Sequence, residues 1–221
     1  MSNKSFSVVT SSKLQPFKKT IEVDSDKSIS IRSFLIGAIS HNISEIKNVL
    51  ESEDVFSAIK CLKQLGVIIK KIKPKNYLVY GKGLGSLYIK KKTILNCGNS
   101  GTLARLLIGI LSTTPGINVK ITGDKSLKKR NMSKLIDLMS QFGASFQKNK
   151  FYFPFSMTSS SIPLGITYNA GVSAQLKSAV ILAGLNSYST STIVEKKQSR
   201  DHTENMLLNS SRVLNIKNNI I

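Results

Sequence analysis

A chain of 221 residues with 41% hydrophobic side chains can bury the core of one sizeable domain or two small ones, which excludes a chain disordered by composition. Its 32 Lys and Arg against 12 Asp and Glu leave a net charge of +20. That balance fits a nucleic-acid binder, a handler of polyanionic small molecules, or the Lys-, Ile- and Asn-rich bias of low-GC coding.

Residues 1–20 hold no apolar stretch of the secretory type, and no run in the chain approaches membrane-spanning length. A cytoplasmic protein without a membrane partner is expected. The first strong signal is Asp24-Ser25-Asp26-Lys27-Ser28-Ile29-Ser30-Ile31-Arg32, a polar head running into the apolar Phe34–Ile39. Asp54–Leu65 is then amphipathic at helical spacing and stops at Gly66. Val67-Ile68-Ile69, a basic turn and Tyr77-Leu78-Val79-Tyr80 read as a hairpin. The basic runs Lys70–Lys75 and Lys90–Lys92 fall in turns and connectors without interleaved aromatics, so a stacking platform for single strands is not expected, and no nucleic acid with it.

The same order then repeats. Leu95-Asn96-Cys97-Gly98-Asn99-Ser100-Gly101-Thr102-Leu103-Ala104-Arg105 opens into Leu106–Leu111, and Met132–Phe142 is the second amphipathic helix, ending at Gly143. Ala144-Ser145-Phe146 and Phe151-Tyr152-Phe153 are the expected hairpin strands. The offset from Gly66 to Gly143 sets a period of 77 residues. A third polar head, Gly171-Val172-Ser173-Ala174-Gln175-Leu176-Lys177, opens into Ala179–Gly184. With Ser28, Ser100 and Gln175 aligned, Gly37, Gly109 and Gly184 each follow nine residues later. Thr192-Ile193-Val194 is the next strand and Asp201–Leu208 the next helix, after which the pattern fails. The third unit therefore reads as cut short or scrambled.

Each polar head places free backbone N–H groups and the positive end of a helix dipole at one spot, the requirement for holding a phosphate or carboxylate. Arg105 is the only charge in its helix and is expected to make a structural contact. Cys61 and Cys97 form no Cys-x-x-Cys pair and read as free thiols, while His41 and His202 lack ligand spacing, so no metal is expected.

The segments Asp26–Arg32, Gly98–Arg105, Gly123–Arg130, Ser173–Ala179 and Arg200-Asp201-His202-Thr203-Glu204 together resemble the 5-enolpyruvylshikimate-3-phosphate synthase family, also called 3-phosphoshikimate 1-carboxyvinyltransferase. The resemblance runs in order over residues 21–207. It implies an α/β (α+β) fold, one lobe of the enolpyruvyl transferase architecture, built of βαβαββ units with parallel helices. The units would span about 21–90, 91–160 and 161–221, the third incomplete. Residues 1–20 would pair with a second lobe that this chain lacks. The implied reaction moves the enolpyruvyl group of phosphoenolpyruvate to the 5-hydroxyl of shikimate 3-phosphate without a cofactor, in the route to chorismate and the aromatic amino acids.

By the same resemblance Lys27 is catalytic and touches both substrates. Asn99, Gly101, Thr102 and Arg130 join it on phosphoenolpyruvate. Ser28 and Arg32 hold the shikimate hydroxyl and carboxylate, and Ser173, Ala174, Gln175 and Arg200 hold the ester and its phosphate. Two positions depart from the family pattern: Ser25 stands where glycine is common and Asn131 where proline follows the arginine. The second lobe would supply an aspartate base, a glutamate, arginines and a lysine, so turnover by this chain alone is not expected. The rival readings are a decayed, non-catalytic anion binder and the sister transferase acting on UDP-N-acetylglucosamine, whose first motif favours Lys-Asn over the Lys-Ser found here.

Overall fold

The computed structural model describes residues 24–90, 93–210, 214–217 and 220–221. The expected N-terminal segment 1–20 lies outside them.

The first unit comprises helix α1 (Lys27–Ile39), strand β1 (Ile43–Ile46), helix α2 (Glu53–Gln64) and strands β2 (Ile68–Lys73) and β3 (Asn76–Tyr80). The second comprises β4 (Ile94–Asn96), α3 (Gly101–Thr113), β5 (Asn118–Thr122), α4 (Ser133–Gln141), β6 (Ser145–Phe146) and β7 (Phe155–Thr158). The third contains β8 (Thr167–Ala170), α5 (Ala174–Gly184), β9 (Thr192–Glu195) and α6 (His202–Ser210).

The sheets repeat as the sequence does. In the second unit β4 and β5 run parallel, joined across α3, and β7 lies antiparallel between β5 and β6. The first unit keeps the equivalent order β1-β3-β2. In the third, β8 and β9 again run parallel. Ile220 and Ile221 bond antiparallel to Val194 and Ile193 on the edge that β7 occupies in the second unit.

One expected strand is displaced. Phe151–Phe153 is not part of the ladder; pairing begins at Phe155. Pro154 has no N–H to donate, so the ladder cannot run through it. The carbonyl of Phe151 is instead taken by the Met132 N–H at the start of α4.

Helices α1, α3 and α5 are the molecule's axis. α3 is buried along almost its whole length, which requires apolar residues on every side rather than on one stripe. Gly109 permits the closest crossing. A Cβ there would stand 2.5 Å from the Ala179 carbonyl oxygen, so α3 and α5 touch backbone to backbone. Gly37 needs no such relief, since a Cβ would meet Ser44 and Val79 at ordinary contact distances of 3.4 and 3.5 Å. Close packing thus explains the glycine at Gly109 and not the one at Gly37.

Candidate active site

The three polar heads cap helices as expected, with a shift of register. Asp26 Oδ1 accepts from Ile29 N at 2.7 Å, Ser100 Oγ from Leu103 N at 3.1 Å and Ser173 Oγ from Leu176 N at 3.4 Å. Ser28 and Gln175 therefore lie two residues inside their helices, and their structural counterpart in α3 is Thr102, not Ser100. Lys27, Gly101 and Ala174 are the first helical residues and Ser28, Thr102 and Gln175 the second.

The mouths of α3 and α5 are tied side chain to side chain. Arg105 Nη1 donates to Gln175 Oε1 at 2.8 Å and to the Gly101 carbonyl at 3.3 Å, and Gln175 Nε2 donates to Thr102 Oγ1 at 3.0 Å. Arg105 thus does hold a structural contact, and it fixes the amide of a residue expected to face the ligand. Arg130 comes from the loop after β5 and donates from Nη2 to Asn99 Oδ1 at 3.2 Å. A Cβ on Gly101 would lie 2.5 Å from Arg130 Nη1 and 2.9 Å from Arg105 Nη1, so glycine is what lets two guanidiniums converge on this backbone. Burial, and then the neighbouring Arg130, lower the pKa of Arg105. Two cations crowded at a helix N-terminus form a surface that an anion relieves.

At the mouth of α1, Lys27 is 49% exposed and its Nζ lies 3.0 Å from Asp54 Oδ2 in the first turn of α2. Asp54 was not singled out by sequence reasoning; the only available signal was a pair of acids, Glu53 and Asp54, opening an amphipathic helix. Arg32 is 4% exposed and holds three hydrogen bonds: Nε to Thr203 Oγ1 at 2.8 Å, Nη2 to Ser178 Oγ at 3.1 Å and Nη1 to the Ser28 carbonyl at 3.1 Å. Burial lowers its pKa first; Glu204 raises it and Arg200 lowers it. The charge of Arg200 thus acts on Arg32 from the loop before α6.

The two departures from the family pattern are accommodated locally. Positive φ among the described non-glycine residues falls at Asn42, Asn48, Lys75 and Asn149, not at Ser25. Asn131 restrains the backbone with its side chain: Oδ1 accepts from Ser133 N at 2.7 Å and Nδ2 donates to Tyr152 Oη at 3.3 Å. A cavity of about 610 Å³ opens between α4 and α5, lined by Arg105, Asn131, Lys134, Tyr168 and Ser173 among others. Of the site residues expected from the sequence it includes only Ser173; Lys27, Asn99, Arg130 and Arg200 are exposed and do not line it.

Helices from three repeated units, with mouths that gather lysine and arginine, define a lobe of the enolpyruvyl transferase fold. Comparison with known proteins makes the assignment particular. The profile of the EPSP synthase (3-phosphoshikimate 1-carboxyvinyltransferase) family matches residues 11–217, and the chain belongs to that family. It is 36% identical over 211 residues to the 3-phosphoshikimate 1-carboxyvinyltransferase of Paramagnetospirillum magneticum, covering 95% of this chain and 47% of that protein. It is 40% identical over 199 residues to the enzyme of the same name from Syntrophomonas wolfei, covering 89% and 46%. The solved EPSP synthase of Acinetobacter baumannii superposes with a TM-score of 0.83 at 34% identity, over 90% of this chain and 45% of that one. The chain thus spans about half the length of the relatives it matches. No helix among the described residues is long and apolar enough to cross a membrane.

Proposed function

We propose that this chain provides the lobe that binds shikimate 3-phosphate and one side of phosphoenolpyruvate during enolpyruvyl transfer. The carrying observation is the junction of α3 and α5, where Arg105, Gln175 and Thr102 lock two helix mouths together and Arg130 leans over Gly101. Lys27, Asn99, Gly101, Thr102 and Arg130 face phosphoenolpyruvate. Ser28, Arg32, Ser173, Ala174, Gln175 and Arg200 face the phosphorylated ring.

In this reading the 5-hydroxyl gives up its proton to a base and its oxygen adds to C2 of phosphoenolpyruvate while C3 takes a proton. The tetrahedral intermediate then loses phosphate and a C3 proton, restoring the double bond. The fixed cations stabilise the charge that gathers on carboxylate and phosphate. Lys27, oriented by Asp54 at 3.0 Å, is placed to move the proton. The groups needed on the opposite side belong to the half of the relatives that this chain does not match. Two buried free thiols suit a reducing compartment, and we place the reaction in the cytoplasm.

Calorimetric titration with shikimate 3-phosphate tests the reading. Arg200→Ala is expected to lose about 1.5–3 kcal/mol of binding, the worth of a charge-assisted contact. Equal affinity of the two proteins would overturn the assignment of Arg200. Mixed with both substrates, the chain should release no phosphate catalytically; multiple turnover would refute the need for a second lobe.

A further inference from the structure

Three buried charges among the described residues, on α5, β9 and α6, take no part in the proposed site so far. Lys177 is 0% exposed, and its Nζ lies 2.9 Å from Glu195 Oε1 and 2.5 Å from Glu204 Oε1. Glu195 ends β9 and Glu204 lies in the first turn of α6. Between them runs the exposed segment that carries Arg200. One ammonium on α5 therefore grips the loop at both of its ends.

Glu195 also grips the loop from inside. Its Oε1 accepts from Ser199 N at 3.1 Å and from Ser199 Oγ at 2.9 Å, one residue before Arg200. On the far side Thr203 Oγ1 accepts from Arg32 and donates to Ser178 Oγ at 2.8 Å, next to Lys177 on α5. Lys177 and Arg32 balance Glu195 and Glu204, so the buried group carries no net charge. A buried ion pair adds little to stability over an apolar filling of the same shape, but it fixes geometry. Here what it fixes is a loop bearing an exposed arginine.

We infer that Lys177 is a positioning residue for the phosphorylated substrate: through Glu195 and Glu204 it holds the 196–201 loop against α5 and so sets where Arg200 stands. The inference rests on the proposed function for the identity of the ligand, and on the geometry alone for the clamp.

Two arms test it separately. In the first, hydrogen exchange is followed in the ligand-free chain, wild type against Lys177→Met and Ser199→Ala. In S199A the amides of Ser199–Thr203 should exchange several-fold faster while α3 and the Gly123–Arg130 segment keep their rates; in K177M, where stranded carboxylates also speed global exchange, the 199–203 amides should lose their protection altogether. Uniform acceleration in S199A, or none at 199–203 in that variant, overturns the clamp. S199A leaves every buried charge in place and decides the question alone if K177M does not fold.

In the second arm shikimate 3-phosphate is titrated into K177M, Arg200→Ala and the double variant. K177M should bind about tenfold more weakly, since misplacing a contact costs on that scale, and the double variant should be no weaker than R200A. Losses that add would show a general structural role and overturn the inference. If wild type ignores this ligand while the exchange pattern holds, the proposed function fails and the clamp stands.

Discussion

Two loops at the same point of the repeat each deliver an arginine to the proposed binding face, by different means. In the second unit the loop after β5 brings Arg130 just before α4; in the third the loop after β9 brings Arg200 just before α6. The Arg130 loop is held by backbone. Asp124 N donates to the Gly98 carbonyl at 2.9 Å, Asp124 Oδ1 accepts from Leu127 N at 2.7 Å, and Gly123 lies so close that a Cβ would meet the Gly98 oxygen at 2.7 Å. The Arg200 loop is held by buried charge, through Lys177, Glu195 and Glu204. The first unit uses a third device at the equivalent place. Glu51, ahead of α2, lies 2.8 Å from Lys71 and accepts from Tyr77 Oη at 2.7 Å and Lys75 N at 3.1 Å. The repeat conserves where a residue is delivered, not the interaction that holds it there.

The comparison predicts unequal costs. Lys177→Met strands two carboxylates in the interior and should destabilise the chain by about 3–5 kcal/mol, measured by urea unfolding. A loss under about 1 kcal/mol would mean that water reaches the cluster. Gly123→Ala forces backbone against backbone and against Leu127, for a cost of about 1–3 kcal/mol by the same measurement, with no charge involved. Arg130→Ala removes only an exposed contact to Asn99. Its stability should stay within about 0.5 kcal/mol of wild type while phosphoenolpyruvate binding drops by about 1.5–3 kcal/mol. Equal binding would detach Arg130 from the site.

The smallest effect is one of pH. Lys71, then Tyr77 and the Lys75 N–H, hold the Glu51 carboxyl at about 2, below its ordinary 4.5. A depressed carboxyl stabilises the fold above its unfolded value and stops doing so as pH falls through the folded one. Wild type should therefore melt above Glu51→Gln at pH 7, and the gap should close between pH 4.5 and about 2. A gap that persists at the acid end would show that packing, not charge, is what the glutamine disturbs.

Much of the site was legible because its parts are local. A capped helix start is written in consecutive residues, and Asp26, Ser100 and Ser173 all act within three residues of themselves. Arg105 was legible as a lone charge in an apolar helix, and its contact to Gln175 bears that out. Lys177 is likewise the only charge in α5, but it was not singled out, and its partners lie on other elements. Charged residues are by default on the surface, so nothing in the local pattern of Glu195 or Glu204 announces burial. Asp54 was hidden for a related reason: an acid in a first helical turn is ordinary until Lys27 is set opposite it. Pairing at Phe155 rather than Phe151 was missed because apolar alternation outweighed the proline between them.

The sequence alone determined the repeat, its capped helices and the chemistry of their mouths, because caps, hydrophobic period and glycine stops act over a few residues. Only the tertiary structure decided which charges meet. Arg105 finds Gln175, Lys27 finds Asp54 and Lys177 finds both Glu195 and Glu204 once α1, α3 and α5 have packed, since a pairing across many residues has no local trace and exists only when the core has brought the helices together.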